Sequence, residues 1–255
     1  MQAPGRPKQH DGGMALLLRR ALLETCRRSM AHTPASRVRD LATDWPGIEV
    51  ERKFLLPEDM GGLRALIEAR GGELVAEKSF TDSYFDGPGF ALTLADYWLR
   101  RRDSQWELKV PGQHVGGTAV YTEVEEEGAI AVALTALLAG GEKGDGRLLL
   151  ADVVKVHQLE PCATFGTVRQ SFAVPGGFHI DLDTSSFGYG IGEIELMCKG
   201  EAEVASAAKR IGQLGEELGV VMAQHKGHLR SKVSMVLLKE RPEHFAALVA
   251  GGVIE

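Results

Sequence analysis

Cysteine is scarce in this chain, and no long apolar run occurs in it. Cys26, Cys162 and Cys198 are the three cysteines of 255 residues. They are odd in number, widely spaced and form no C-x-x-C pair. Neither a disulfide framework nor a zinc knuckle follows, and a reducing compartment is the natural inference. No hydrophobic stretch approaches the ~18 residues that a spanning helix needs, so no membrane association is expected. An excess of positive charge is missing too. The 29 basic and 35 acidic residues leave a net charge of −6, with the arginines scattered among carboxylates. That balance argues against a nucleic-acid partner. Gly141-Glu142-Lys143-Gly144 lacks the Walker spacing, and Gly188 to Gly192 runs straight into strand-like Glu193-Ile194-Glu195-Leu196, so it reads as a turn. His225 and His228 have no third ligand nearby to make a metal site.

An apolar fraction of 44% with 25% charged residues is ordinary for a globular protein. The length suits one domain of about 200 residues with an appendage. Residues 1–46 are the appendage: eight basic and four acidic residues give them +4, which leaves −10 for the rest. Met14 to Met30 has the pattern of an Arg-bearing amphipathic helix, as in a mitochondrial presequence; a disordered leader, or a true start at Met14 or Met30, is the other reading. The expected location is cytoplasmic, or mitochondrial if residues 1–46 act as a presequence.

Charge of both signs, in period-two stripes, is what the sequence does have. In Ile48-Glu49-Val50-Glu51-Arg52-Lys53-Phe54, strand alternation projects Glu49, Glu51 and Lys53 together and turns Ile48, Val50 and Phe54 the other way. The spacing repeats in five more segments. Trp98, Arg100 and Arg102 share a face, as do Glu107 and Lys109, Glu123 and Glu125, Asp181 and Asp183, and Glu193 and Glu195. A solvated sheet face would also alternate. A closed barrel with a hydrated interior explains in addition why acidic and basic stripes are sorted onto separate strands. Two carboxylates and an ammonium in a row suit a divalent cation and an anionic oxygen together.

These strings resemble a known family. Glu49-Val50-Glu51-Arg52-Lys53 matches the ExExK signature of the CYTH, or triphosphate tunnel metalloenzyme, superfamily. Trp98-Leu99-Arg100-Arg101-Arg102, Trp106-Glu107-Leu108-Lys109, Asp181-Leu182-Asp183-Thr184, Gly192-Glu193-Ile194-Glu195 and Arg241-Pro242-Glu243 are similar to its thiamine triphosphatase branch. The resemblance covers residues 47 to 245, leaving 246–255 as an expected C-terminal tail. It implies an α+β fold, a closed antiparallel β-barrel wrapped by helices. It implies Mg²⁺-dependent hydrolysis of thiamine triphosphate to thiamine diphosphate and orthophosphate. A general tripolyphosphatase or nucleoside triphosphatase on the same fold, an adenylate-cyclase-like enzyme, and a non-catalytic polyphosphate-binding module remain alternatives. A monomer is expected.

Residue by residue, the resemblance implies Glu49, Glu51, Asp181, Glu193 and Glu195 as metal ligands. It implies Lys53, Arg100, Arg102, Lys109, Arg169 and Lys232, with Glu193, around the substrate. Lys226 and Lys239 compete with Lys232. Tyr84 matches a tyrosine that pairs with Lys109 near the nucleophile; an inward tyrosine that only packs is the other reading. Trp98 is expected to stack on the substrate's ring, or else to pack under a helix. Five carboxylates converging unpaired would repel one another, which a bound cation relieves.

Periodicity predicts helices opened by Pro57 and stopped at Gly71-Gly72, over 129–139, near 149–158, over 201–218 and after Pro242. Strands are predicted at 79–86, 96–102, 105–110, 119–126, 163–174, 178–184 and 191–198. A loop is predicted at 140–146, and 228–238 is left open between strand and helix.

Overall fold

The computed structural model describes residues 47–112, 115, 118–138, 149–224 and 229–255. The leader 1–46, the 140–146 loop, Lys226, His225 and His228 lie outside them. Eight strands are formed: β1 (Ile48–Phe54), β2 (Glu73–Asp86), β3 (Trp98–Arg102), β4 (Gln105–Pro111), β5 (Ala119–Val124), β6 (Glu160–Val174), β7 (Phe178–Ser185) and β8 (Gly190–Cys198). They close into one barrel in the order β1-β5-β4-β3-β2-β6-β7-β8, every pairing antiparallel. Six helices accompany them among the described residues: α1 (Met60–Ala69), α2 (Glu127–Leu138), α3 (Leu150–Val156), α4 (Glu201–Glu217), α5 (Lys232–Glu240) and α6 (Pro242–Ala250).

Burial decides which way each strand faces. Val50, Phe54, Ile180, Leu182, Ile194 and Leu196 point outward and meet Leu63 and Ile67 of α1 and Val204, Ile211 and Leu214 of α4. Leu99, Leu108 and Val124 do the same against Ile130 and Leu134 of α2 and Val153 of α3. Each such side chain is worth about 1.5–3 kcal/mol when buried. The pleat then leaves the opposite, charged positions no choice but the interior. Gly192 lies opposite Phe54 in the β1–β8 register. A Cβ there would fall 2.0 Å from the Phe54 ring, so only glycine lets the two strands close.

Several boundaries differ from the sequence reading for local reasons. α1 starts at Met60 rather than on Pro57, because the Asp59 side chain accepts the Gly62 N–H at 2.8 Å. β2 and β6 run further than predicted, pairing from Glu73 to Ala173. The added part of β2 is exposed on both faces and so carries no alternation to read. β3 starts at Trp98, after two short 3₁₀ turns (Pro88–Phe90 and Thr93–Ala95) and a left-handed Asp96. β5 stops at Val124, leaving Glu125 exposed and outside the charged interior. Residues 228–238 resolve to helix, with Ser231 capping α5.

The expected tail at 246–255 is not one. α6 runs through residue 246 to Ala250, and Leu248 and Val253 are buried with Val236 and Leu237 of α5 against Trp98, Tyr121 and Phe165 of the barrel. His244, an inner residue of α6, joins a network at the end of β2. Asp86 accepts the N–H groups of Gly87, Leu92 and Thr93 at 2.7, 2.9 and 3.1 Å, and Thr93 Oγ1 at 2.5 Å. Thr93 Oγ1 also lies 2.7 Å from His244 Nε2.

Burial opposes ionisation of Asp86, but the bonds from His244, Thr93, Leu92 and Gly87 outweigh it and hold the carboxyl below its ordinary 3.8. A folded-state value below the unfolded one means stability that is present above about pH 4 and lost as pH falls through the folded-state value. Asp86→Asn should therefore destabilise at neutral pH by about 1–3 kcal/mol and flatten the acid limb of the stability curve. Urea titrations of both proteins from neutral pH down past pH 4 check this; parallel acid limbs would refute it.

Candidate active site

The antiparallel register sets the interior charges against one another. Arg100 faces Glu107, Lys109 faces Glu123, Lys53 faces Glu193, Arg102 faces Asp82 and Arg169 faces Asp183. Ion pairs follow. Lys109 Nζ donates to Glu49 at 2.6 Å and Glu51 at 3.1 Å, with Glu123 at 3.2 Å. Lys53 bonds Glu51 and lies 3.1 Å from Glu193. Arg169 donates to both oxygens of Asp183 at 2.7 and 2.6 Å, reaches Glu193 at 3.4 Å and pairs with Asp181. Arg102 grips Asp82 through two bonds of 2.8 and 3.1 Å, its guanidinium 3.9 Å over the Phe80 ring.

The expected picture of five unpaired carboxylates is thus corrected. The acids of β7, β8, β1 and β5 lie side by side round the barrel, and cations from β1, β4 and β6 reach into them: Lys109 meets Glu49 and Glu51, Lys53 meets Glu51 and Glu193, and Arg169 meets Asp181 and Glu193. Glu195 alone of the five has no ion pair among the described residues. The electrostatics sort them accordingly. Burial pushes Glu49 up to about 8, with Lys109 pulling the other way and Glu51 and Glu123 adding to the rise. Burial also opposes ionisation of Glu51, yet Lys109 and Lys53 bring it down to about 2. Glu193 falls well below the carboxylate range because Lys53, Lys232 and Arg169 together overcome burial. Glu195 rises well above it, from burial and then from Glu49, Glu193 and Asp181. Lys109 stays cationic: burial disfavours the charge, but Glu49, Glu51 and Glu123 hold it.

One oxygen each from Glu49, Glu51 and Glu195 lies within 4.8 Å of the others, and so does one each from Asp181, Glu193 and Glu195. The two sets share Glu195 and contain all five expected ligands. The donors are all carboxylate oxygens, which is the chemistry of a hard divalent cation, and a cation would relieve the raised Glu49, Asp181 and Glu195.

A cavity opens onto this interior. Lys53, Arg100, Lys109, Arg169 and Lys232 line it with Glu51, Glu193, Tyr84 and Trp98; Glu49, Arg102, Asp181 and Glu195 lie outside its lining. Lys232, on the buried side of α5, bonds Asp183, whereas Lys239 is exposed on the same helix. The expected pairing of Tyr84 with Lys109 is not formed. The Tyr84 hydroxyl accepts from Arg100 at 3.5 Å, while three carboxylates draw Lys109 away. Burial raises the Tyr84 phenol, with Arg100 opposing.

A profile of the CYTH domain matches residues 47–226. The chain belongs to the CYTH family. Two relatives named thiamine-triphosphatase are similar to it: that of Homo sapiens at 36% identity over 213 residues, and that of Macaca fascicularis at 35%. Each match covers 79% of this chain and 89% of the relative. A solved Pyrococcus horikoshii OT3 protein shares the fold, with a TM-score of 0.51, 19% identity and coverage of 76% of this chain and 99% of that one. In this CYTH chain the cavity extends past the matched segment, since Lys232 and Val253 line it.

Sequence reasoning placed Asp183, Glu123 and Glu107 on charged faces without giving them roles, and passed over Asp82, Asp96 and Tyr121. Asp183 and Asp82 are fully buried counter-ions of Arg169 and Arg102. Glu107 bonds Arg100 at 2.9 Å. Their common signal was a place on the charged face opposite a named arginine, which needs the register to read.

Proposed function

We propose that this CYTH protein hydrolyses thiamine triphosphate to thiamine diphosphate and orthophosphate with Mg²⁺ as cofactor. The observation that carries the reading is one interior in which six basic side chains, Arg230 among them, line a cavity beside two overlapping carboxylate triplets. The 36% identity to a thiamine-triphosphatase supports the choice of substrate.

In this reading Lys53, Arg100, Arg102, Lys109, Arg169 and Lys232 bind the triphosphate, matching its roughly four negative charges with forked and point-charge donors. Glu49, Glu51, Asp181, Glu193 and Glu195 would hold Mg²⁺. When bound, the cation supplies neutralisation of the charge on the phosphoanhydride. Cleavage of the terminal phosphoryl group asks little covalent chemistry of the protein, so positioning carries most of the effect. Lys109, held cationic, acts as a donor to phosphoryl oxygens rather than as a base. Tyr84, anchored to Arg100, orients the attacking water at the same cavity wall. The free thiols of Cys162 and Cys198 support a cytoplasmic location.

Phosphate release from thiamine triphosphate, tripolyphosphate and ATP, each with Mg²⁺, with Ca²⁺ and with chelator, tests the proposal. A highest kcat/KM on thiamine triphosphate with Mg²⁺ is expected. Equal rates on all three would make the protein a general triphosphatase.

Trp98 gives the substrate preference a physical basis. It lines the cavity beside Tyr84, and its indole face attracts the thiazolium cation. Trp98→Ala should lower efficiency on thiamine triphosphate relative to tripolyphosphate by about two- to thirtyfold. Equal losses on the two would leave Trp98 only its packing against α5 and α6.

A further inference from the structure

Asp96 stands at the entrance to β3 in a left-handed conformation, φ 65°. Aspartate and asparagine accept that backbone better than other non-glycine residues. Its Oδ1 takes two hydrogen bonds at once, from the Trp98 indole N–H at 2.9 Å and from the Tyr121 hydroxyl at 3.2 Å. All three residues line the cavity.

An indole has a single donor, so engaging it fixes which way the ring is turned. The Trp98 ring is further held at 85° to Tyr84, with 6.3 Å between centroids. Tyr121, pinned by the same carboxylate, lies with its ring centroid 5.6 Å from Lys109 Nζ. One anionic group thus sets two aromatic walls of the cavity.

We infer that Asp96 is a selectivity-determining positioning residue, which locks the Trp98 indole in the orientation that receives the cationic ring of the substrate. The inference rests on the proposed thiamine triphosphate activity. Tripolyphosphate has no ring and supplies the internal reference.

Two variants separate the pinning bond from the rest of the side chain. Asp96→Gly removes the acceptor and suits a positive φ, where alanine would add backbone strain. Asp96→Asn keeps an oxygen for the same two donors. The measured quantity is the ratio of kcat/KM on thiamine triphosphate to that on tripolyphosphate, in the wild-type and the Trp98→Ala backgrounds. Asp96→Gly is expected to lower the ratio about two- to thirtyfold, mainly through KM for thiamine triphosphate. Asp96→Asn should retain most of the ratio. In the Trp98→Ala background Asp96→Gly should change the ratio no further, because the ring it holds is gone. An unchanged ratio in Asp96→Gly, an Asp96→Asn variant as damaged as Asp96→Gly, or a further fall in the Trp98→Ala background would each overturn the inference. A wild-type protein without preference for thiamine triphosphate would instead remove the substrate assignment itself.

Discussion

Replacing Glu51 or Glu193 by glutamine should lower phosphate release about a hundredfold or more while the barrel stays folded. Each carboxylate belongs to one of the two oxygen triplets and also anchors a lysine of the substrate wall. Glutamine keeps the volume and one oxygen, so packing is preserved, but the charge that would hold a divalent cation is lost. Lys53 contacts both residues, so either change also frees its ammonium to move. Chelation of the wild-type protein should silence it in the same way, and added Mg²⁺ should restore it. Circular dichroism and a denaturation midpoint monitor the fold alongside. Full activity of either variant in excess chelator would sink the metal assignment.

Lys109→Ala should rank next. The wild-type ammonium bonds Glu49 and Glu51 and sits near Glu123, so its removal leaves three carboxylates facing one another beside the cavity. A charge-assisted contact is worth about 1.5–3 kcal/mol, which predicts about a ten- to hundredfold loss of kcat/KM. The loss should be similar on thiamine triphosphate, tripolyphosphate and ATP, since the group addresses phosphate and not a ring. Arg102→Ala should cost less, because Asp82 holds both arms of that guanidinium and the side chain lies outside the cavity lining. Steady-state kinetics on the three substrates decide the matter. Wild-type efficiency in Lys109→Ala would move the phosphate site to other residues.

Where one face of a strand is buried, the sequence reading and the fold agree. Val50, Leu99, Leu108, Val124, Ile180 and Ile194 alternate cleanly with charges, and all of them are buried outside the barrel. Parity along a single strand is local information, so Glu49, Glu51, Lys53, Arg100, Lys109, Glu193 and Glu195 were legible as one facing set. What parity cannot give is the partner across the gap. That Arg169 meets Asp183, that Lys109 meets Glu123, and that Tyr84 meets Arg100 rather than Lys109 depend on register and on competition among neighbours. The outer half of β2 escaped because both its faces are exposed. The docking of α6 escaped because its target, the end of the barrel near Phe165, is assembled from distant segments.

The β1–β8 pairing has a consequence for how activity should return after unfolding. Glu51 stands opposite Glu195 and Lys53 opposite Glu193 across that seam, which joins the first strand of the barrel to the last. Such a contact is among the most distant in sequence, and distant pairings carry a large loop-closure cost and tend to form slowly. One of the two carboxylate triplets, Glu49 and Glu51 with Glu195, therefore comes together only when the seam zips. In a stopped-flow refolding experiment, secondary structure and helix docking should recover ahead of turnover. Enzymatic rate becomes the clock for barrel closure, and a substitution that loosens the seam at Gly192 should delay the clock without delaying the earlier optical signals.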